Sequence, residues 1–257
     1  MGINLDAMKK KLSQLDSKGS GDNKFWKPTL GDHDVRLLCP SDGDPFREYH
    51  FHYLKVNGKN RSILCPNRNF GDDCPICQFA SSLWRDAKDA GDKQMMNQAK
   101  DLFVKQRYFS PVVVRGLEQD GVKIWGYPVT SYRKLISYVL NPDYGDITDI
   151  ENGTDITVKC VKIPGKLYNG TELEARRRTT PLCSDVLEDG EECSKLLNQL
   201  EDIDFGNIFK RASTQEAKNL LDESLANENT TGEEKMHYNA PDTVSEIDQA
   251  YKELMNN

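Results

Sequence analysis

One histidine and three cysteines stand close together in residues 52–77, HYLKVNGKNRSILCPNRNFGDDCPIC. Twelve residues separate His52 from Cys65, eight separate Cys65 from Cys74, and two separate Cys74 from Cys77. The Cys-Pro-Ile-Cys knuckle lets two thiolates reach one ion, and the other two ligands arrive from an upstream strand and loop. This spacing predicts a tetrahedral Cys3His zinc site.

A redox pair is the alternative, because it also uses the Cys-x-x-Cys pattern. The third cysteine and the nearby histidine, with Gly71, Asp72 and Asp73 turning the chain, favour a single structural zinc ion. His50 is a rival ligand, since it lies two residues from His52 on the same face of a strand. We favour His52.

The sequence offers little for catalysis. It contains neither a phosphate-binding Gly-rich loop followed by Lys-Ser/Thr nor a dinucleotide fingerprint. The other histidines, His33, His50 and His237, stand in no nucleophile motif. A zinc ion with four protein ligands has no open position for water. We therefore expect a protein that is not an enzyme.

The net charge of -7 conceals an uneven distribution. From Asp185 onward the chain has 18 acidic and 6 basic residues, a net charge of -12, which leaves a net charge of +5 for residues 1–184. A basic body with an acidic tail is typical of proteins that bind nucleic acid. A tail that only increases solubility would produce the same distribution.

No apolar run approaches the ~20 residues that a membrane helix needs, and the first residues lack the apolar core of a signal peptide. Together with seven cysteines, an odd number, this points to a reducing cytoplasm, where clustered thiols bind metal. Outside the zinc stretch, we expect unpaired thiols at Cys39, Cys160, Cys183 and Cys193.

Hydrophobic periodicity predicts a β-rich α+β body. Strands are predicted at 35–38, 48–56, 107–115, 122–129 and 155–163, the last with a bulge at Cys160-Val161. Helices are predicted at 78–104 in two pieces broken near Gly91, and at 131–140, 194–209 and 214–225. The basic segment 165–181, GKLYNGTELEARRRTTP, is predicted to be a loop.

Both ends of the chain differ from the body. Residues 3–16 predict a short amphipathic helix that contains Lys9, Lys10 and Lys11, and residues 18–23 predict a flexible linker; a frayed terminus is the alternative. Residues 227–239 are predicted to be disordered. Residues 242–255 predict an amphipathic helix that either docks on a partner or folds back on the body.

Cations and aromatic residues alternate along the predicted strands, a combination that holds single-stranded nucleic acid through its phosphates and bases. The alternative is that about half of these aromatics fill the core. Lys123, Trp125 and Tyr127 share one strand face, which we predict to be a binding surface. The candidate DNA-contact residues are Lys105, Arg107, Tyr108, Arg115, Lys123, Trp125, Tyr127, Lys159, Lys162 and Tyr168.

The chain resembles the single-stranded DNA-binding, helix-destabilising proteins of T-even-type phages. The motifs that carry the resemblance are the spacing from His52 to Cys65, the LKVNGK loop, CPICQ at 74–78, FWKPTLGDHDVRLLCPS at 25–41 and VKQRYFSPVVV at 104–114. The resemblance covers residues 25–170 well. The gap between Cys65 and Cys74 is one residue shorter than in the family pattern, and the basic Lys9–Lys11 motif lies further into the chain.

The resemblance implies three parts. A basic N-terminal segment, residues 1–22 with Lys9, Lys10 and Lys11, makes binding cooperative through the neighbouring molecule. A core, residues 23–212, combines an OB-fold with an inserted zinc subdomain at about 50–80 and binds the strand. A disordered acidic tail, residues 213–257, contacts replication and recombination enzymes and covers the DNA cleft when DNA is absent.

The resemblance thus implies an α+β protein that coats single-stranded DNA without sequence preference in phage replication, recombination and repair, in the cytoplasm of the infected bacterial host. It gives His52, Cys65, Cys74 and Cys77 as ligands of one structural zinc ion, and Lys105, Arg107, Tyr108, Trp125 and Tyr168 as DNA contacts. The alternatives are a zinc-containing regulator that binds RNA or duplex DNA, and a zinc-stapled scaffold that binds no nucleic acid.

Overall fold

The computed structural model describes residues 24–165, 169–183 and 190–228. These residues form two compact units. The first comprises residues up to 47 and 108–203, and the second comprises residues 48–107 and those from 204 onward. The α+β class with a β-rich core, accompanying helices and a Cys/His cluster is confirmed.

The described chain begins with four strands and continues as a mixture of helices and strands. In order they are β1 (Phe25–Trp26), β2 (Gly31–Leu37), β3 (Arg47–Val56), β4 (Lys59–Leu64), α1 (Pro66–Phe70), α2 (Pro75–Ala90), α3 (Lys93–Leu102), β5 (Lys105–Val114), a 3-10 turn (Glu118–Asp120), β6 (Lys123–Tyr127), α4 (Val129–Val139), β7 (Thr154–Lys162), β8 (Asn169–Thr179), α5 (Glu191–Glu201), a second 3-10 turn (Phe205–Asn207) and α6 (Thr214–Glu228).

The first unit is built on strands in the order β1-β6-β5-β2-β7-β8, antiparallel except for the β1–β6 pair. In β7, Ile156, Val158 and Cys160 are buried while Thr157 and Lys159 are partly exposed, which is the alternation of a strand with one face on a core. The apolar faces of β2, β5 and β7 and the inner side of α4 form one hydrophobic cluster.

The register between β7 and β8 shifts between Thr154 and Ile156, where β8 has the extra residues, so the prediction of a bulge at Cys160-Val161 is wrong. Pairing continues regularly past Cys160, because Val161 takes the exposed position that alternation gives it. The irregularity instead falls at Asp155, whose carboxylate is buried. Bulges of this kind re-aim a side chain away from the regular pleat.

The buried carboxylate of Asp155 holds two arginines in the first unit. It accepts hydrogen bonds from Arg36 Nε at 2.9 Å and from Arg115 Nε at 3.0 Å, and a further one from Thr180 Oγ1 at 3.0 Å. Arg36 is completely buried and also donates to the carbonyls of Asp149 and Gly153. Burial lowers the pKa of Arg36, and the charge of Asp155 opposes that shift.

The second unit joins the β3–β4 hairpin to the helices α1, α2, α3 and α6. α2 ends at Gly91, whose φ of 68° is the left-handed conformation that glycine adopts easily, and α3 begins directly afterwards with Asp92 capping its first amides. The predicted break near Gly91 is thus confirmed. The core of this unit contains buried residues from the hairpin, α2, α3 and α6.

The helix predicted at 214–225 is present as α6, and it belongs to the second unit. Ala217, Leu220 and Leu221 are buried in the core, and Ser224 Oγ donates to the carbonyl of Lys55 at 2.9 Å. The folded unit therefore continues through residue 228, beyond the boundary at 212 that we drew from the sequence.

Two further expectations require correction. The segment 165–181, predicted as a loop, contains strand β8, which pairs with β7 in an antiparallel register that shifts once, between Thr154 and Ile156. Cys183 and Cys193, predicted as unpaired thiols, form a disulfide with a Cα–Cα separation of 5.5 Å. The sequence spacing of ten residues gave no sign that α5 brings these two cysteines together.

Several expectations fall on residues outside the described ranges. These are the N-terminal helix with Lys9, Lys10 and Lys11, the linker at 18–23, Tyr168, the segment 229–239 and the amphipathic helix at 242–255. Among the helices that the structure does describe, none has the length and apolar character needed to cross a membrane.

Replacing Asp155 with Asn tests the buried carboxylate. The substitution leaves two arginines without their counter-charge, one of them fully buried, so we expect the free energy of unfolding of the first unit to fall by about 3 kcal/mol. Urea denaturation measures this change. Glu174→Gln is the control, because it breaks the exposed Lys159–Glu174 pair and should leave the midpoint nearly unchanged. Equal midpoints for both variants would contradict the central role of Asp155.

Candidate metal centre and nucleic-acid contacts

Three elements of the second unit bring the predicted metal ligands together. His52 lies in β3, Cys65 is the N-cap residue of α1, Cys74 is the N-cap residue of α2, and Cys77 lies in the first turn of α2. Each N-cap cysteine is followed by a proline at the first helical position, which fixes where the helix begins. The CPIC sequence therefore presents both thiols from one helix start.

The four ligand atoms lie within 4.8 Å of one another, and all four residues are buried. His52 Nε2 is 3.4 Å from Cys74 Sγ and 3.3 Å from Cys77 Sγ, and Cys65 Sγ is 3.5 Å from Cys77 Sγ. Ligand atoms at about 2.0–2.3 Å from a tetrahedral zinc ion are separated by roughly 3.3–3.8 Å. The donor set and its geometry therefore fit one zinc ion.

The imidazole of His52 is oriented by the end of α3. Its Nδ1 lies 2.8 Å from the carbonyl oxygen of Leu102. A carbonyl oxygen only accepts, so Nδ1 carries a proton and Nε2 faces the cysteine sulfur atoms, where it can bind a metal ion once it is deprotonated. Metal-binding histidines are commonly held in this way by a carbonyl or carboxylate on the second nitrogen.

His50, the rival ligand, lies outside the cluster. Its side chain is directed to Glu48, with 3.3 Å between His50 Nε2 and Glu48 Oε1, and its backbone N–H donates to Asn69 Oδ1. Burial lowers the pKa of His50. The structure therefore brings together the four residues that we favoured from the sequence.

The pKa values within the cluster are shifted by the hydrogen bonds and charges that its ligands share. Hydrogen bonds from Cys74 and Cys77 lower the pKa of Cys65, and those to Cys65 and Cys74 raise the pKa of Cys77. Burial by itself would lower the pKa of His52, but hydrogen bonds to Cys65 and Cys74 and their charge raise it to about 10. A metal ion would replace these shared protons. Four protein ligands around it would leave no position for a reacting water molecule.

The ten candidate DNA-contact residues fall into distinct environments. Tyr168 lies outside the described residues. Lys105 and Lys162 are exposed, and Arg107 is partly exposed. Arg115 and Lys159 form ion pairs with Asp155 and Glu174. The remaining four, Tyr108, Lys123, Trp125 and Tyr127, are buried.

The expectation that Lys123, Trp125 and Tyr127 form an exposed face is corrected by the structure. Trp125 and Tyr127 are each 1% exposed, and Lys123 is 8% exposed. Trp26 packs against Trp125 edge to face at a ring separation of 5.7 Å, and Ser110 Oγ lies 2.6 Å from Tyr127 Oη. Because Trp125 and Tyr127 contribute to the hydrophobic core of the first unit, they present no open face to a base.

Arg115 also has a structural role that the sequence did not reveal. Its guanidinium binds Asp155 and donates to the carbonyls of Leu182 and Pro181, which uses its donors within the first unit. Tyr108 stacks on Tyr132, with ring centroids 3.8 Å apart. Lys105 Nζ donates to the carbonyl of Lys100 at 2.7 Å, and partial desolvation lowers the pKa of Lys105.

A row of arginines on β8 was missing from the candidate set. Arg176, Arg177 and Arg178 are exposed, and Arg176 pairs with Asp34 at 2.7 Å. The sequence signal was the run of three arginines itself, which we had placed in a loop. The three arginines lie between Ala175 and Thr179, where the register between β7 and β8 shifts, and all three side chains are exposed.

A family model described as gp32 DNA binding protein like matches residues 31–225. The matched span covers three quarters of the chain and includes all four residues of the Cys/His cluster. No protein among the curated sequences matches the chain.

Replacing Cys77 with Ser tests the metal centre. We expect the parent protein to contain one zinc ion per chain and the variant to lose it, because a hydroxyl is a poor substitute for a thiolate ligand. Zinc binding contributes to folding, so the free energy of unfolding of the second unit should fall by more than about 4 kcal/mol. Elemental analysis and thermal denaturation measure the two effects.

Two control variants make this test specific. Cys39→Ser removes a thiol outside the cluster, and His50→Gln removes the rival imidazole. Both should retain zinc and melt close to the parent. A Cys77→Ser protein with the parent's zinc content, or a His50→Gln protein without zinc, would show that the ligand assignment is wrong.

Proposed function

Since the chain belongs to the gp32-like DNA-binding protein family, we propose that it coats single-stranded DNA cooperatively and without sequence preference. Its setting would be phage DNA replication, recombination and repair in the cytoplasm of the infected bacterial host. The observation that carries the proposal is the family match over residues 31–225, which includes the complete Cys/His cluster. We assign one structural zinc ion to that cluster and no catalytic role to the protein.

The distribution of cations supports binding to a phosphate backbone. Lys105 and Arg107 in the second unit, and Lys162, Arg177 and Arg178 in the first, reach solvent. Each such side chain that contacts a phosphate releases a condensed counterion, so affinity for the strand should fall as salt increases. Lys123 and Arg115 are left out of this set, because Lys123 is buried and Arg115 is ion-paired with Asp155.

Duplex destabilisation follows from selective affinity. A protein that binds single strands more tightly than duplex traps each transient opening, and by mass action it lowers the melting temperature of the duplex. No bond is made or broken in this process, so the proposal requires no catalytic group. A four-ligand zinc ion would stabilise the second unit and would take no part in chemistry.

The two ends of the chain are assigned roles from their sequence alone. We propose that Lys9, Lys10 and Lys11 contact the neighbouring molecule along the strand. We propose that residues 229–257, with six acidic and two basic residues, bind replication and recombination proteins and compete with DNA for the basic surface. An acidic segment can compete in this way because it offers the same charge as the phosphates.

The alternative function is a zinc-containing regulator that reads RNA or duplex DNA. Such a protein would prefer particular sequences and would not bind oligo-dT cooperatively. The scaffold alternative would show no nucleic-acid binding. Titration with oligo-dT distinguishes the coating protein, the regulator and the scaffold.

The intrinsic fluorescence of the purified protein, titrated with oligo-dT at two salt concentrations, is the first test. We expect quenching that weakens as salt rises, because counterion release drives binding and aromatic rings contact bases. Duplex competitor should have little effect. Stronger binding to duplex or to a particular RNA would favour the regulator, and the absence of binding at low salt would favour the scaffold.

Deleting residues 229–257 tests competition by the tail. We expect higher affinity for oligo-dT, with the largest gain at low salt, where the tail competes most strongly. The logarithm of the binding constant should then fall more steeply with the logarithm of salt concentration than in the full chain. The deletion must begin after Glu228, because a chain that ended earlier would lose part of α6 and its packing in the core.

A full-length variant is the matched control for the deletion. Changing the six carboxylates of residues 229–257 to amides preserves length while removing negative charge. It should bind DNA like the deletion variant. Unchanged affinity in both proteins would exclude competition by the tail.

A further inference from the structure

We propose that a cavity in the second unit, bounded by the β3–β4 hairpin, α3 and α6, receives one unpaired base of the bound strand against Tyr53, with Lys55 and Lys105 on the flanking phosphates. This inference rests on the proposed function, because it locates a nucleotide subsite for a single strand. Tyr53 and Lys55 were not among the candidates that the sequence suggested.

The cavity has a volume of about 450 Å³, which lies within the range of about 300–1,000 Å³ that is usual for small-ligand sites. Its wall is mixed, and the apolar part includes Leu54, Phe79, Leu83 and Leu102. Leu54, Phe79 and Leu83 are buried, so the wall belongs to the packed core of the unit. A flat base can therefore rest on a surface that is already formed.

Tyr53 supplies an aromatic ring at this cavity. It is 37% exposed, whereas the other aromatic residues of β3, Tyr49 and Phe51, are buried. Phe51 packs against the ring of Tyr53 at a centroid separation of 6.2 Å, which restrains Tyr53 without covering it. Stacking on a ring that is already ordered costs little conformational entropy.

Two cations complement the charge of a phosphate backbone. Lys55 lies two residues from Tyr53 on the same strand face, and Lys105 lines the cavity from the start of β5. Lys105 Nζ uses one of its three donors on the carbonyl of Lys100 and keeps the others. Asp101 also lines the cavity, and its negative charge repels a phosphate. Two lysines and one carboxylate leave a net positive charge at the cavity.

The polar lining suits a base of any identity. Asn60 and Gln98 line the cavity, and each carries one acceptor and two donors on a side-chain amide. An amide can turn to match either a donor or an acceptor on the edge of a base. Paired bases in a duplex expose neither face nor Watson–Crick edge, so the cavity selects single strands without selecting sequence.

The first experiment locates the contact directly in the full-length, zinc-loaded protein. An oligo-dT in which single thymidines are replaced by 5-iododeoxyuridine is bound and irradiated, and the cross-linked peptides are sequenced by mass spectrometry. We expect a cross-link to Tyr53, in the tryptic peptide of residues 48–55. Cross-links confined to other residues would overturn the proposal.

The second experiment measures affinity. Tyr53→Leu keeps an apolar side chain but removes the ring, and we expect roughly 5- to 100-fold weaker binding of oligo-dT. Tyr53→Phe is the matched control and should bind like the parent, because it retains the stacking face. Equal binding by the leucine variant and the parent would overturn the proposal.

The third experiment examines the lysines and remains informative if Tyr53→Leu does not fold. Lys55→Gln combined with Lys105→Gln should reduce the slope of log affinity against log salt by about 1.4, since each phosphate contact on a single strand contributes about 0.7. Lys59→Gln, on the same hairpin but outside the cavity, should leave the slope unchanged. An unchanged slope in the double variant would overturn the phosphate contacts.

The outcomes distinguish this subsite from the function on which it depends. If the parent protein fails to bind oligo-dT, the proposed function is wrong and the subsite fails with it. If the parent binds but the cross-link and the variants exclude Tyr53 and the two lysines, the function stands and the strand lies elsewhere on the protein.

Discussion

The metal centre of the second unit is positioned by the hydrogen bond between His52 Nδ1 and the carbonyl of Leu102. This bond fixes the tautomer of the imidazole, directs Nε2 toward the cysteine sulfur atoms, and joins strand β3 to the last residue of α3. Leu102 also lines the cavity beside Tyr53. The metal centre and the proposed base subsite thus share one supporting contact, and an ion bound to the cluster would order both.

The first unit depends instead on the buried carboxylate of Asp155. A buried ion pair stabilises a protein little compared with apolar packing, but the loss of one member leaves an uncompensated charge. Asp155 satisfies Arg36 and Arg115 together and lies where the register between β7 and β8 shifts. Because Arg36 lies in β2 and Arg115 directly follows β5, one carboxylate of β7 connects three neighbouring strands.

The sequence predicted the metal ligands because their evidence is local: spacing within 26 residues and prolines after two of the cysteines are sufficient. It predicted most strands and helices for the same reason, since periodicity is a property of short segments. It failed for Trp125 and Arg115, whose roles are decided by residues far away in the chain. Trp26 covers Trp125, and Asp155 engages Arg115 across 40 residues. Alternation showed that Trp125 and Tyr127 share a face, but it did not show which face is buried.

Contacts between residues that are far apart in the chain also limit how far composition predicts binding to DNA. A cation that is neutralised by the protein's own carboxylate releases few counterions when a phosphate approaches, so it adds little to affinity or to its salt dependence. Lys159 and Arg176 are paired with Glu174 and Asp34. Arg178 and Lys55, by contrast, form no ion pair within the part of the chain that the structure describes. The phosphate-binding capacity of the protein therefore depends on those basic residues that the fold does not pair with a carboxylate.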